Sequence, residues 1–148
     1  MNFALKTRSV RTLLADDSPR VLKVLSQILS SEAGFTVVGS ATNGSQALHY
    51  ASALMPDLVL IGLHLSKLNG AQVTHHIKRG RNPPVVFMMS SDDTPTSHAT
   101  SEQAGADAFV PISTGLEHLR SKLHEWFGSI RSISRTAIRT TTERGSAR

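Results

Sequence analysis

Apolar and polar positions alternate in two different rhythms along this chain, and the rhythms take turns about five times. Short apolar runs at 12–15, 35–39, 58–61, 85–89 and 108–110 have the length of strands. The run 58–61 lies between Pro56-Asp57 and the later Asn69-Gly70, so it reads as a strand buried on both sides and closed by turns. Between the runs, apolar residues recur at helical spacing. Val21, Leu22, Leu25, Ile28 and Leu29 follow Ser18 as N-cap and Pro19 as first helical residue. Ala47, Leu48, Ala51 and Leu54 follow Asn43-Gly44 as a second stripe. Val73 and Ile77, then Ala99 and Ala104, mark weaker third and fourth helices, and Leu116, Leu119, Leu123, Trp126, Phe127 and Ile130 form the clearest stripe. Strands alternating with helices over short connections predict an α/β fold with a parallel sheet and helices on both faces. For five units the common doubly wound order is 2-1-3-4-5, and ligands then sit at the carboxyl ends of strands one and three, where Asp16, Asp17 and Gly62 fall.

Composition narrows the possibilities. A length of 148 residues suits one domain with one sizeable core. Without cysteine, disulfides, thiolate metal sites and cysteine nucleophiles are excluded. No run approaches the roughly 20 apolar residues of a membrane span, and the first residues lack the apolar stretch of a signal peptide, so a cytoplasmic protein without membrane contact is expected. The net charge of +5 is uneven. From residue 129 onward five arginines oppose one glutamate, a net of +4, which leaves +1 for residues 1–128. This gives a short N-terminal extension at 1–10, a folded body at 11–128 and a basic tail at 129–148 expected to be mostly disordered. A nearly neutral body argues against a nucleic-acid-binding globule, although the tail could anchor phosphates without sequence preference.

Four segments, Leu14-Ala15-Asp16-Asp17-Ser18-Pro19, Pro56-Asp57-Leu58-Val59-Leu60-Ile61, Asn69-Gly70 and Ala104-Gly105-Ala106-Asp107-Ala108-Phe109-Val110, in this order and spacing resemble the receiver domain of two-component response regulators. The resemblance covers roughly 11–127 and implies a flavodoxin-like sheet. In that family strand three carries a phosphoacceptor aspartate beside an acidic pair that holds Mg²⁺, with a Thr or Ser ending strand four and a Lys ending strand five. Here the acidic pair is Asp16 and Asp17, the acceptor position is Gly62, and the lysine position is Ile112. The hydroxyl position is Met89, or Ser90 if the alignment slips by one residue. Losing one carboxylate together with the lysine leaves the formal site charge at two negative units. The resemblance thus implies a pseudo-receiver that is not an enzyme and requires no cofactor, with at most weak Mg²⁺ binding through Asp16, Asp17 and the His64 carbonyl. Phe109 matches an aromatic switch position. A histidine kinase or another regulator is the implied partner. The face of the fourth helix, fifth strand and fifth helix is implied for partner binding or homodimerisation, with the first helix as second candidate.

Other chemistry is thin. His49, His64, His75, His76, His98, His118 and His124 are scattered and predict solvated side chains rather than a metal site. Asp92 and Asp93 read as turn or capping residues. The turn after the first strand is not glycine-rich, which disfavours a nucleotide enzyme. A residual phosphoryl acceptor at Ser66, Ser90 or an acidic-pair aspartate is the remaining alternative.

Overall fold

The computed structural model describes residues 8–128. β1 (Val10–Ala15) leads through Asp16-Asp17-Ser18 into α1 (Pro19–Ser30), which begins where the sequence places it. Ser18 is extended, its hydroxyl accepts the Val21 N–H at 3.3 Å, and Pro19 occupies a position whose N–H would have no helical partner. β2 (Phe35–Ala41) and α2 (Gly44–Leu54) follow, with Asn43 capping the Gln46 N–H at 2.8 Å. β3 (Leu58–Gly62) leads to α3 (Gly70–Lys78), which opens with a reciprocal capping box between Asn69 and Gln72. β4 (Val85–Ser90), α4 (Pro95–Ala104), β5 (Ala108–Pro111) and α5 (Glu117–Phe127) complete the series.

All neighbouring strands are parallel and the sheet order is 2-1-3-4-5. Successive strand residues feed opposite faces. Leu14, Leu58, Leu60, Phe87 and Met89 pack with Leu22, Leu25 and Leu29 of α1 and Leu119 and Leu123 of α5. Leu13, Val59, Ile61 and Val86 pack with Ala47 of α2 and Val73 and Ile77 of α3. Burying each leucine or valine contributes about 2 kcal/mol before chain entropy is counted, so the central strands hold the sheet in register. Phe127 closes α5 with its ring edge-on to Phe35, centroids 5.7 Å apart.

Two expectations change at the helices. α4 buries Ser97 and Ser101 rather than Ala99, which is exposed. The reason is polar: Asp92 accepts a hydrogen bond from Ser97 Oγ at 2.5 Å and makes that hydroxyl tolerable in the interior. In α5, Trp126 lies at the margin of the stripe, 39% exposed, while Leu119 and Leu123 carry the packing. Ile130 and the basic tail at 129–148 lie outside the described residues, as do positions 1–7 of the N-terminal extension.

Candidate functional site

The carboxyl ends of β1, β3 and β4 meet because parallel pairing aligns Ala15 with Ile61 and Gly62 with Met89. Gly70 brings the next loop close. A Cβ there would come 2.1 Å from the Gly62 carbonyl oxygen, so only glycine lets α3 begin against the end of β3. The Gly70 N–H donates to the Leu63 carbonyl at 2.9 Å and the Leu63 N–H to the Met89 carbonyl at 2.8 Å, which ties the loop to β4.

Asp16 leaves the end of β1 half-buried and Asp17 beside it is exposed. Asp16 Oδ1 accepts the Ser18 N–H at 2.9 Å, an Asx-type turn that starts α1. Asp16 Oδ2 faces Gly62: a Cβ built on Gly62 would lie 2.7 Å from it. Burial raises the Asp16 pKa above the ordinary carboxylate range; the Ser18 amide opposes this and the neighbouring Asp17 charge adds to it.

Met89, the register partner of Gly62, is buried in the core cluster on the α1 and α5 side. Ser90, one residue on, spends its hydroxyl on Asp92: it lies 3.3 Å from Asp92 Oδ2 and accepts the Asp92 N–H at 3.2 Å. Asp92 also accepts from Thr94 N–H at 3.2 Å and Thr94 Oγ1 at 3.0 Å. These bonds, with the one from Ser97 the largest influence, pull its pKa down to about 2. Ile112 begins a short 3₁₀ turn (Ile112–Thr114) after β5 and packs against the same core cluster as Met89. His64 is exposed, its ring nitrogen 3.8 Å from Asp92 Oδ2. Phe109 is partly buried on β5, its ring tilted against His98 of α4 at 4.2 Å between centroids. His98 in turn contacts Asp93 Oδ1 at 2.5 Å.

Asp16, Asp17, Gly62 and Met89 therefore share one corner, whereas Ile112 belongs to the core and Phe109 to the α4–β5 surface. The corner does not fit a resident Mg²⁺ well. Mg²⁺ takes six oxygens in a near-octahedral shell. Here Asp16 Oδ1 is engaged by the Ser18 N–H, and among the described residues no group of three or more His, Asp or Glu side chains converges as a metal site. Sequence reading did not find the His98–Phe109 stack. It also did not find the bridge from Glu32 to Arg120 (2.6 Å) and His124 (3.0 Å), because 88 and 92 residues separate the partners.

Comparison with known proteins places this architecture. The profile of the response regulator receiver domain matches residues 12–124, and the chain belongs to that family. It is similar to a protein-glutamate methylesterase/protein-glutamine glutaminase 2 of Methanospirillum hungatei JF-1, 31% identical over 133 residues covering 87% of this chain and 38% of the relative. A protein of the same description from Pseudomonas fluorescens Pf-5 is 34% identical over 135 residues, covering 86% of this chain and 35% of that protein. The chain thus spans little more than a third of the length of these relatives. Among solved structures it resembles the response regulator domain of Thermotoga maritima CheB, with 27% identity, TM-score 0.69 and coverage of 86% and 98%. The receiver domain of NarL from Mycobacterium tuberculosis matches at 26% identity, TM-score 0.75 and coverage of 80% and 96%.

Proposed function

We propose that this receiver domain acts in two-component signalling without accepting a phosphoryl group, by contact with another signalling protein. The observation that carries the reading is the pair Asp16 and Gly62. At the acceptor position implied by the family there is no side chain, and the space before it faces the carboxylate of Asp16. Ile112 at the lysine position offers no cation to a phosphoryl group, and the hydroxyl position falls on Met89, which is buried in the core, or on Ser90, whose hydroxyl is held by Asp92. The domain on this reading is not an enzyme, requires no cofactor and works in the cytoplasm; among the described residues no helix is long and apolar enough to cross a membrane. A histidine kinase or another regulator is the proposed partner. The α4–β5–α5 face, which carries Phe109 and His98, is the first docking surface, and α1 is the second. Similarity to the receiver portion of methylesterases supports a partner from the same kind of pathway.

The test is incubation of the full chain with acetyl phosphate and Mg²⁺, read by intact mass under acidic conditions. No phosphoryl adduct is expected. A stoichiometric adduct on Asp16, Asp17, Ser66 or Ser90 would overturn the reading. The alternative of a nucleic-acid anchor rests on 129–148, outside the described residues, and predicts steeply salt-dependent binding of DNA or RNA by the full chain.

A further inference from the structure

The near-neutral charge of the folded body is an average over unlike parts. Between Asp57 and Asp92 there is no Asp or Glu, while Lys67, Lys78, Arg79 and Arg81 fall in or beside α3. α3 buries Gly70, Val73, Thr74 and Ile77. Its exposed side is Gln72, His75, His76 and Arg79 at helical spacing, and Lys67 before the helix and Arg81 after it are exposed too. The acids on neighbouring elements are mostly engaged elsewhere. Asp107 holds Lys78 and Asp57 holds Arg8, each at 2.7 Å, while Asp93 contacts His98 and Asp92 accepts from Ser97 and Thr94. α2, beside α3 on the same face of the sheet, has no charged residue, and α4 on its other side carries Glu102. The side chains of Lys67, Arg79 and Arg81 form no ion pair among the described residues.

Part of this basicity has a local cause. His75, His76 and Lys78 stand in the last turn, where cations offset the negative end of the helix dipole. Arg81 lies two residues past the C-cap Arg79, beyond that turn. Lys67 precedes the N-cap Asn69, the end at which the dipole disfavours a cation. The dipole therefore does not account for cations at both ends.

α3 has 9 residues, about 14 Å at about 1.5 Å per residue, so Lys67 and Arg81 frame a rigid segment too long for one phosphate group. One strand of a DNA duplex places a phosphate about every 3.4 Å along the axis, and α3 alone spans about four of them. The exposed stripe contains no aliphatic side chain and no Phe, Tyr or Trp. Protein interfaces centre on such anchors and membrane-surface helices need an apolar face, whereas nucleic-acid interfaces are polar and basic. Gln72, His75 and His76 add N–H donors for phosphate oxygens. The chain also leaves α5 at the pole where α3 ends. Phe127 lies against Phe35 at the start of β2, Lys78 reaches the Pro84 carbonyl just before β4, and the sequence after 128 adds five arginines against one glutamate.

We propose that the outer face of α3, framed by Lys67 and Arg81, binds the phosphate backbone of double-stranded DNA without sequence preference. The contact then lies on the folded body and not only on 129–148. The inference does not depend on whether the domain accepts a phosphoryl group.

Fluorescence anisotropy of a labelled DNA duplex of about 20 base pairs, titrated with the full chain between about 50 and about 200 mM NaCl, tests it. The wild type should bind with a steep salt dependence. Lys67→Gln/Arg81→Gln should bind at least about tenfold more weakly at low salt and flatten the log–log slope by about two units, one for each lost phosphate contact. Arg20→Gln/Lys23→Gln removes the same charge from exposed positions of α1, and its slope should stay close to wild type. Amide chemical shifts at 67–81 should move when the duplex is added. A wild type that does not bind DNA overturns the proposal. So does a Lys67→Gln/Arg81→Gln variant with wild-type slope, which would leave any binding to 129–148, or an equal loss in the α1 variant, which would make the effect one of net charge. Binding to polyglutamate or to phosphatidylserine vesicles as tight as to the duplex would overturn DNA as the partner.

Discussion

The carboxylate of Asp16 stands over Gly62, its Oδ2 2.7 Å from where a Cβ on that glycine would be. The glycine has a φ that any residue can adopt, so the obstacle to a side chain there is the Asp16 oxygen alone, the end of a movable group. Gly62→Asp should therefore fold. It sets a third carboxylate beside Asp16 and Asp17, and unit charges about 4 Å apart repel by about 4 kcal/mol at an effective dielectric of about 20. Screening at exposed Asp17 reduces this, and a net loss of about 2 kcal/mol is expected without divalent ions. Mg²⁺ should restore most of the loss in the variant and leave the wild-type Tm almost unmoved. Thermal melts with and without Mg²⁺ decide: a wild type that responds as strongly as the variant would contradict the poor fit of the present corner to a cation.

Asp16 itself is raised by burial, which means the folded state binds its proton more tightly than the unfolded chain does. The sign follows from linkage. Its charge opposes folding above the folded pKa, and the penalty disappears as pH falls below the unfolded value. Asp16→Asn keeps an oxygen for the Ser18 N–H and removes the charge. It should be more stable than wild type at neutral pH, with the two denaturation midpoints converging in acid. A gap that stays constant with pH would show that Asp16 is not under this strain.

The fold was legible because strands and helices advertise themselves by period, and a cap such as Ser18-Pro19 is written locally. The corner at Asp16 and Gly62 was legible because topology alone brings the ends of β1 and β3 together. What could not be read was the direction of side chains. The turn of Asp16 onto Gly62 depends on the Ser18 amide, and the burial of Ser97 depends on a carboxylate five residues earlier. The sequence therefore predicts an apolar stripe in α4 where a polar one does the packing. The choice between Met89 and Ser90 was open in the sequence. In the sheet the register sets Met89 opposite Gly62, and the Ser90 hydroxyl goes to Asp92.

α4 depends on Asp92 more than on apolar burial. The Asp92 pKa is lowered to about 2, so the folded state holds its proton less tightly than the unfolded chain, whose value is near 3.8. Its contribution is complete above that unfolded value and is lost as pH falls towards 2. Hydrogen exchange in α4 should accelerate over this interval before β1 and β3 change. Ser97→Ala should cost about 1 kcal/mol for the lost hydrogen bond. It should also weaken the acid response, since Ser97 is the largest of the influences on Asp92. Uniform acid loosening of all helices, or a Ser97→Ala variant with wild-type acid behaviour, would show that the Asp92 turn does not hold α4.

Glu32, just past α1, ties that end of the molecule to α5 through Arg120 and His124. Its carboxyl lies below the ordinary range, chiefly because of the His124 hydrogen bond and then the Arg120 contacts, with burial opposing. Surface pairs are usually worth less than about 1 kcal/mol, but this side chain is only 15% exposed and is held by two partners. A double-mutant cycle of Glu32→Gln with Arg120→Ala should give a coupling of about 1 kcal/mol at pH 6. The coupling should fade as pH drops through the Glu32 folded pKa, because a lowered carboxylate gives up its stabilisation when it is protonated. Urea denaturation of the four proteins measures it. A coupling within error of zero would mean that α1 and α5 are joined by Leu25, Leu29, Leu119 and Leu123 alone, and that the charges merely meet above them.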